Sequence, residues 1–253
     1  DSAQPRYIHT KLSKIAGKLF DNLDSPLLKY KTDDGLSIEP EYYIPILPMI
    51  LINGTQGIGT GWSTDIPKFN PLDIIKNIKL YLDNKPLKEM KPYYKGFKGK
   101  IEKKSDNIYL SKGVYELQEN RIFVKELPIG IWTDNFKNHL ESLIIDAKNK
   151  SKKQIIRYYN SYCTDTEVKF EIIIANDIIE SLDKYNEKIG MTQLEKTFKL
   201  VTTINMNNMV AFDRNNKIKK YSSVNDILTE FCDVRRTFYA SRKNYILEKL
   251  ENE

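Results

Sequence analysis

Residues 41–67, EYYIPILPMILINGTQGIGTGWSTDIP, decide how the rest of the chain is read. An apolar run over 44–52 is interrupted by Pro45 and Pro48, and four glycines follow within eight residues: Gly54, Gly57, Gly59 and Gly61. Glycine belongs where a backbone takes positive φ or approaches another molecule closely. Gly57 and Gly59 are therefore expected to shape a tight loop. Between them sits one β-branched residue, Ile58. An apolar side chain held there is either a plug buried under the loop or a wedge that enters a stack of base pairs, as Ile, Leu and Phe do in proteins that kink duplexes. The spacing fits neither G-x-G-x-x-G nor G-x-x-x-x-G-K-[ST], which excludes those two phosphate-binding loops.

The chain is long enough, at 253 residues, for one large domain or two ordinary ones with real cores. Its 40 basic and 34 acidic residues leave a net charge of +6, which permits a polyanionic partner without requiring one. Cys163 and Cys232 lie far apart with no C-x-x-C, so neither a disulfide framework nor a zinc site is indicated, and a reducing compartment is the expected setting. His9 and His139 are the only histidines, a poor supply for metal ligation. No run approaches the ~20 apolar residues of a membrane span, and no signal-peptide pattern opens the chain. Both ends read as cut. The start lacks Met, and the end at Glu253 falls inside a helical pattern with no stop signal.

Taken in order, Pro5-Arg6-Tyr7 precedes Ile8, Leu12, Ile15 and Leu19, whose spacing predicts a helix with Tyr7 at its entrance. Alternation around Asp33-Asp34-Gly35 predicts a hairpin. Asn70 is placed to cap a helix with Pro71 at its first position and a stripe of Leu72, Ile75, Ile78 and Leu82. Short alternating runs from 97 to 127 predict an antiparallel sheet. A helix with Trp132, Phe136, Leu140 and Leu143 on one face follows. Residues 148–153 read as a basic connector, either a solvated loop or a phosphate contact. Val168, Phe170, Ile172 and Ile174 predict a half-buried strand over 165–174, with Asp165 and Glu167 either a metal pair or strand-edge charges. A helix is expected over 177–188. The polar run KLVTTINMNN over 199–208 is either a phosphate- and sugar-contacting stretch or a turn-rich connector. From Ser223, with Asp226 three residues on, a helix of near 30 residues begins, its stripe running Ile227, Phe231, Val234, Phe238.

Several of these stretches together resemble one family. Pro5-Arg6-Tyr7-Ile8, Glu39-Pro40-Glu41-Tyr42-Tyr43-Ile44-Pro45, Asn53-Gly54-x-x-Gly57-Ile58-Gly59-Thr60-Gly61-Trp62-Ser63, Tyr94-Lys95-Gly96-Phe97-Lys98-Gly99, Glu126-Leu127-Pro128 with Trp132-Thr133, and Met209-Val210-x-Phe212-Asp213 are similar to the breakage–reunion region of type IIA DNA topoisomerase II. The form is that of eukaryotic and viral members rather than bacterial gyrase. Departures are Gln56 where the family often has Glu, Gly130-Ile131 where Arg-Thr usually precedes the Trp, and His9 in place of another aromatic.

The resemblance implies an α+β chain: the end of a winged-helix domain (1–45), an α/β tower domain with an antiparallel sheet (46–222), and the start of a coiled-coil arm (223–253). It implies that Tyr7 is the nucleophile, Arg6 its transition-state stabiliser, and Ile58 the DNA-bending wedge. Lys199, Leu200, Val201, Thr202, Thr203, Ile204, Asn205, Met206, Asn207 and Asn208 correspond to a DNA-contacting stretch. The implied enzyme is an ATP-dependent isomerase that makes a transient double-strand break through a 5′-phosphotyrosine link so that another duplex can pass. The other class of reading is a non-catalytic module that bends DNA. Expected partners are double-stranded DNA and a second copy of the full-length protein, with no membrane. Mg²⁺ and ATP are expected outside this segment, which alone should be inactive. The expected compartment is the nucleus for a cellular protein, or host cytoplasm or virion for a large DNA virus, a source that the abundance of Lys, Asn, Ile and Tyr would fit.

Overall fold

The computed structural model describes residues 5–149 and 154–253, in two compact units. One is discontinuous, running to Met90 and resuming over Met209–Glu253; the other is Lys91–Asn208.

The discontinuous unit begins with a single 3-10 turn, Pro5–Tyr7, and the helix expected after it is almost absent: only α1, Ala16–Leu19, forms. Ile8, Leu12 and Ile15 are exposed, so the helical stripe finds nothing in this chain to cover it, and burial does not offset the cost of nucleating a helix. A 3-10 helix, Asn22–Leu27, is capped by Asp21, whose carboxylate accepts the Leu23 N–H at 3.0 Å. The hairpin forms as read: β1 (Tyr30–Asp33) and β2 (Leu36–Pro40) turn at Asp34 and Gly35, both at positive φ. After α2 (Met49–Asn53), β3 (Thr55–Gly59) and β4 (Trp62–Ile66) pair antiparallel. Then α3 (Pro71–Leu82) starts where Asn70 accepts the Leu72 N–H at 2.9 Å, with Pro71 first. Its covered face is shifted from the expected stripe. Ile74 and Asn77 are buried, whereas Leu72 and Leu82 are exposed. Asn77 is satisfied by both backbone groups of Lys88, at 2.7 and 3.1 Å, which draws the following segment back along the helix.

The continuous unit holds β5 (Lys100–Ser105), β6 (Ile108–Lys112), β7 (Val114–Gln118) and β8 (Arg121–Glu126), then α4 (Thr133–Asn149), β9 (Ile156–Ser161) and β10 (Phe170–Ile174). It continues through a 3-10 turn, Asn176–Ile178, and α5 (Ile179–Leu182). The short pair β11 (Tyr185–Asn186) and β12 (Met191–Thr192), α6 (Gln193–Thr197) and β13 (Val201–Asn205) complete it. The expected single sheet is instead two antiparallel ones, ordered β7-β8-β10-β9 and β13-β6-β5. The break falls at Gly113, between β6 and β7. An added Cβ there would lie 2.4 Å from the Glu126 carbonyl oxygen. Gly113→Ala is accordingly expected to cost ~1–3 kcal/mol of stability through overpacking, read as a lowered denaturant midpoint at unchanged m-value.

The core joins Ile122, Val124, Phe136, Leu140, Phe170, Ile172 and Ile174, with the Phe136 and Phe170 rings edge-on at 5.0 Å. Two expectations fail here. The strand begins only at Phe170, is covered on both faces (Ile173 is also buried), and leaves Asp165 and Glu167 in a turn where the Thr164 hydroxyl accepts the Thr166 and Glu167 N–H groups. The helix expected over 177–188 stops after one turn, at Leu182, because Tyr185–Asn186 pairs as a strand with Met191–Thr192. The basic connector falls partly in α4, and 150–153 lie outside the described residues.

The chain returns to the first unit as the hairpin β14 (Val210–Phe212) and β15 (Ile218–Lys220), then α7 (Val224–Asn252). Ser223 and Asp226 form a complete capping box, with bonds of 3.1 and 2.9 Å. The buried face of α7 is Val224, Ile227, Leu228, Cys232 and Arg235; beyond it Tyr245, Ile246, Leu247 and Leu250 are exposed. Arg235 reaches across 211 positions of sequence to Asp24, Nη1 to Oδ2 at 2.6 Å, with both side chains buried. Arg242 binds Asp21 at 2.8 Å and approaches Asp24 at 3.4 Å, and the Tyr239 ring lies against both guanidinium groups. Among the described residues no helix is long and apolar enough to cross a membrane.

Candidate nucleic-acid interface and cleavage site

Tyr7 ends the 3-10 turn that Pro5 opens, with φ of the first residue fixed by the proline ring. It is 75% exposed and so contributes nothing to the core. The Arg6 guanidinium carbon stands 5.3 Å from the Tyr7 ring centroid, close enough for a cation–π contact. A phenol and a permanently charged, planar guanidinium are thus held side by side at the surface. The first can attack a phosphodiester, and the second can grip its oxygens in pairs.

Ile58 stands in β3, opposite Ser63, and is 94% exposed. That rules out the buried plug. The glycines have different duties from those expected. Gly57 and Gly59 are strand residues paired to Thr64 and Trp62, and neither has positive φ; that demand falls on Gly54 (φ 66) and on Gly61 (φ 76) in the hairpin turn. At Gly54 an added Cβ would also stand 2.7 Å from the Ile66 carbonyl oxygen. A rigid two-stranded hairpin, not a loose loop, therefore carries Ile58.

The 199–208 stretch lies in the other unit and is mostly a strand, β13, paired residue for residue with β6 from Val201–Lys112 to Asn205–Ile108. Leu200, Val201 and Met206 are buried core residues and Ile204 is half-buried. The exposed members are Lys199, Thr203, Asn205 and Asn207. Thr202 donates to the Ile129 carbonyl at 2.8 Å, and Asn207 accepts from Asn107 at 3.0 Å.

Other candidate groups are structural. His139 donates its Nε2–H to the Thr197 carbonyl, 2.8 Å away, and burial lowers its pKa, so it favours the neutral ring. Burial pushes the Cys232 thiol up to about 11, which leaves it unreactive near neutral pH. Among the described residues no group of three or more His, Cys, Asp or Glu is placed to hold a metal, and Asp165 and Glu167 are no exception. Sequence reading missed the buried Asp24–Arg235 pair. Its signal was a charge at position 235, on the same stripe as Leu228 and Phe231 of an amphipathic helix.

Over residues 1–253 the chain matches the family described as the DNA gyrase/topoisomerase IV A-subunit. It is 42% identical over 254 residues to a mitochondrial DNA topoisomerase 2 of Dictyostelium discoideum, covering 100% of this chain and 19% of that protein. It is also 42% identical to DNA topoisomerase 2 of Saccharomyces cerevisiae, over 99% of this chain and 17% of that protein. The crystal structure of the Plasmodium falciparum topoisomerase II DNA-binding, cleavage and re-ligation domain superposes with a TM-score of 0.88 at 41% identity, over 99% of this chain and 33% of that one. The chain thus spans less than a fifth of the length of these curated relatives. With an exposed Arg–Tyr pair, an exposed isoleucine on a rigid hairpin and a mixed α and β fold of small antiparallel sheets shared with that domain, the chain belongs to the DNA gyrase/topoisomerase IV A-subunit family, on its eukaryotic topoisomerase 2 side.

Proposed function

We propose that this segment supplies the nucleophile, the wedge and part of the DNA platform of an ATP-dependent type II topoisomerase. Residues 1–45 close a winged-helix domain, 46–222 form the tower, and α7 opens a coiled-coil arm whose exposed Tyr245, Ile246, Leu247 and Leu250 await other helices. The Tyr7 hydroxyl attacks a backbone phosphorus. The bond to the 3′ oxygen breaks, that oxygen takes up the proton, and a 5′-phosphotyrosine link remains. The freed 3′ hydroxyl reverses the step, because a phenolate is a better leaving group than an alkoxide. Arg6 stabilises charge on the non-bridging oxygens, a role typically worth on the order of 3 kcal/mol. Lys199, Thr203, Asn205 and Asn207 contact phosphates or sugars, while Leu200, Val201 and Met206 hold the strand that presents them. Mg²⁺ and ATP belong to other parts of the full-length enzyme. A second copy of that enzyme completes the gate. The compartment is the nucleus for a cellular protein, or host cytoplasm or virion for a viral one.

The observation that carries this reading is Ile58, an apolar side chain kept 94% in solvent on a hairpin whose pairing is otherwise regular. Unstacking a base step costs a few kcal/mol, which the extra contacts of a bent duplex offset. Ile58→Ala is expected to abolish most of the bend, read as a longer end-to-end distance on a fluorescently labelled duplex, with non-specific affinity changed less than about threefold because phosphate contacts dominate it. An unaltered bend in a folded variant would remove the wedge.

A further inference from the structure

Two hairpins of the discontinuous unit, β3–β4 and β14–β15, abut. The Thr64 hydroxyl of β4 donates to the Val210 carbonyl of β14 at 2.6 Å and accepts the Val210 N–H at 3.3 Å. Between them opens a cleft of about 490 Å³, lined among others by Gly57, Gly59, Trp62, Phe212 and Ile218. Trp62 is 54%, Phe212 65% and Ile218 44% exposed, and Ile58 borders the same cleft. An apolar surface of this kind on an otherwise polar chain marks a contact site.

Its glycines say what kind. A Cβ at Gly57 would meet nothing within 4 Å, and at Gly59 only the Trp62 carbonyl oxygen at 3.9 Å; neither has positive φ. The fold itself does not need glycine at either place. What the missing side chains provide is room beside Ile58 for something outside the chain.

The rim supplies the sign of the partner's charge. Over 213–220, DRNNKIKK, four cations face one acid. Asp213 is turned inward on its own loop, accepting the Asn215 and Lys217 N–H groups at 2.8 and 2.9 Å. Glu230 of α7 anchors the hairpin: it accepts from the Arg214 N–H at 3.0 Å, Lys219 Nζ at 2.7 Å and the Tyr221 hydroxyl at 3.1 Å. Burial opposes its ionisation, but these three donors outweigh that and hold its carboxyl below the usual range. Lys219 is thereby neutralised, and Lys217 and Lys220 remain exposed on a hairpin pinned in place.

We infer that β14–β15 is a second duplex-contacting element beside the Ile58 hairpin: Trp62, Phe212 and Ile218 pack on deoxyribose edges over the Gly57–Gly59 shelf, while Lys217 and Lys220 meet the flanking phosphates. Duplex DNA is chosen as occupant because the cleft is continuous with the wedge residue and its rim is cationic. The inference rests on the wedge reading of Ile58.

The test uses the complete protein and a labelled duplex, with binding measured across KCl concentrations. Lys217→Gln with Lys220→Gln should lower the steepness of log K against log[KCl] by about 2, roughly one for each lost phosphate contact. Phe212→Ser with Ile218→Ser should weaken binding ~10-fold at fixed salt, the loss of modest apolar burial, and leave the salt slope alone. All four residues are exposed, so both variants should melt as wild type. If both variants bind with wild-type slope and affinity while Ile58→Ala still loses the bend, the hairpin is no DNA contact and the wedge stands. If Ile58→Ala keeps the bend but the lysine variant flattens the salt slope, the wedge fails and the hairpin remains a contact. Should the serine variant fail to fold, the lysine variant alone decides: an unchanged slope overturns the inference.

Discussion

In the complete protein, Tyr7→Phe is expected to abolish covalent protein–DNA adducts trapped by denaturing detergent, while duplex affinity stays within about twofold of wild type because phosphate contacts elsewhere carry it. The substitution removes one oxygen. Tyr7 is 75% exposed in a short turn, so no core depends on its hydroxyl, and the phenylalanine ring still offers its face to Arg6. What is lost is the oxygen proposed to displace the 3′ oxygen. Adducts at wild-type level in the variant would transfer the chemistry to another residue. A wild-type protein that bends duplexes but never forms an adduct would be the architectural module instead.

The second large effect concerns stability. Arg235→Leu should destabilise the discontinuous unit by ~3–5 kcal/mol, because it leaves the Asp24 carboxylate buried with its shortest ion-pair partner gone. The Ile44 carbonyl, which accepts from the same Nη1 at 3.3 Å, loses a donor as well. Hydrogen exchange at the amides of α7 up to Arg235 should then accelerate by two to four orders of magnitude, at ~1.4 kcal/mol per decade. Adding Asp24→Leu should recover a large part, since a buried pair replaced on both sides by apolar groups is often near neutral. A single variant that exchanges like wild type would show that Arg242, 3.4 Å from Asp24, carries the pairing.

What the sequence disclosed and what it hid follow one rule. Signals satisfied within a few residues were legible: Asn70-Pro71 at the start of α3, Asp34-Gly35 between β1 and β2, Ser223 and Asp226 at the start of α7. Each closes its own hydrogen bonds locally. Readings that needed a distant partner went astray. The 8–19 stripe has helical spacing but stays uncovered, so periodicity without burial did not make a helix. The strands over 97–127 split between two sheets because β13 and β10, far along the chain, claim different members of the set. The 199–208 run looked polar throughout, yet Leu200, Val201 and Met206 enter the core, while Thr203 and Asn205, which share the strand face of Val201, lie beyond what covers it. At the candidate site the residue types named the chemistry of Tyr7, Arg6 and Ile58. Which glycines bend the chain, and which merely leave space, could be told only from φ and from what a Cβ would meet.

The link from Asp24 to Arg235 also sets an order of events during synthesis. Residues 91–208 form their unit from contiguous chain, so that unit has its whole sequence once residue 208 has emerged. The discontinuous unit does not, because Asp21 and Asp24 wait for guanidinium groups that are translated more than two hundred residues later. At ~5–20 residues per second that is a delay on the order of 10–40 seconds, during which the Asn22–Leu27 turn is unclamped. The Asn22–Leu27 turn is therefore translated well before the helix that fastens it, and that helix is the same one that leads into the proposed dimer arm.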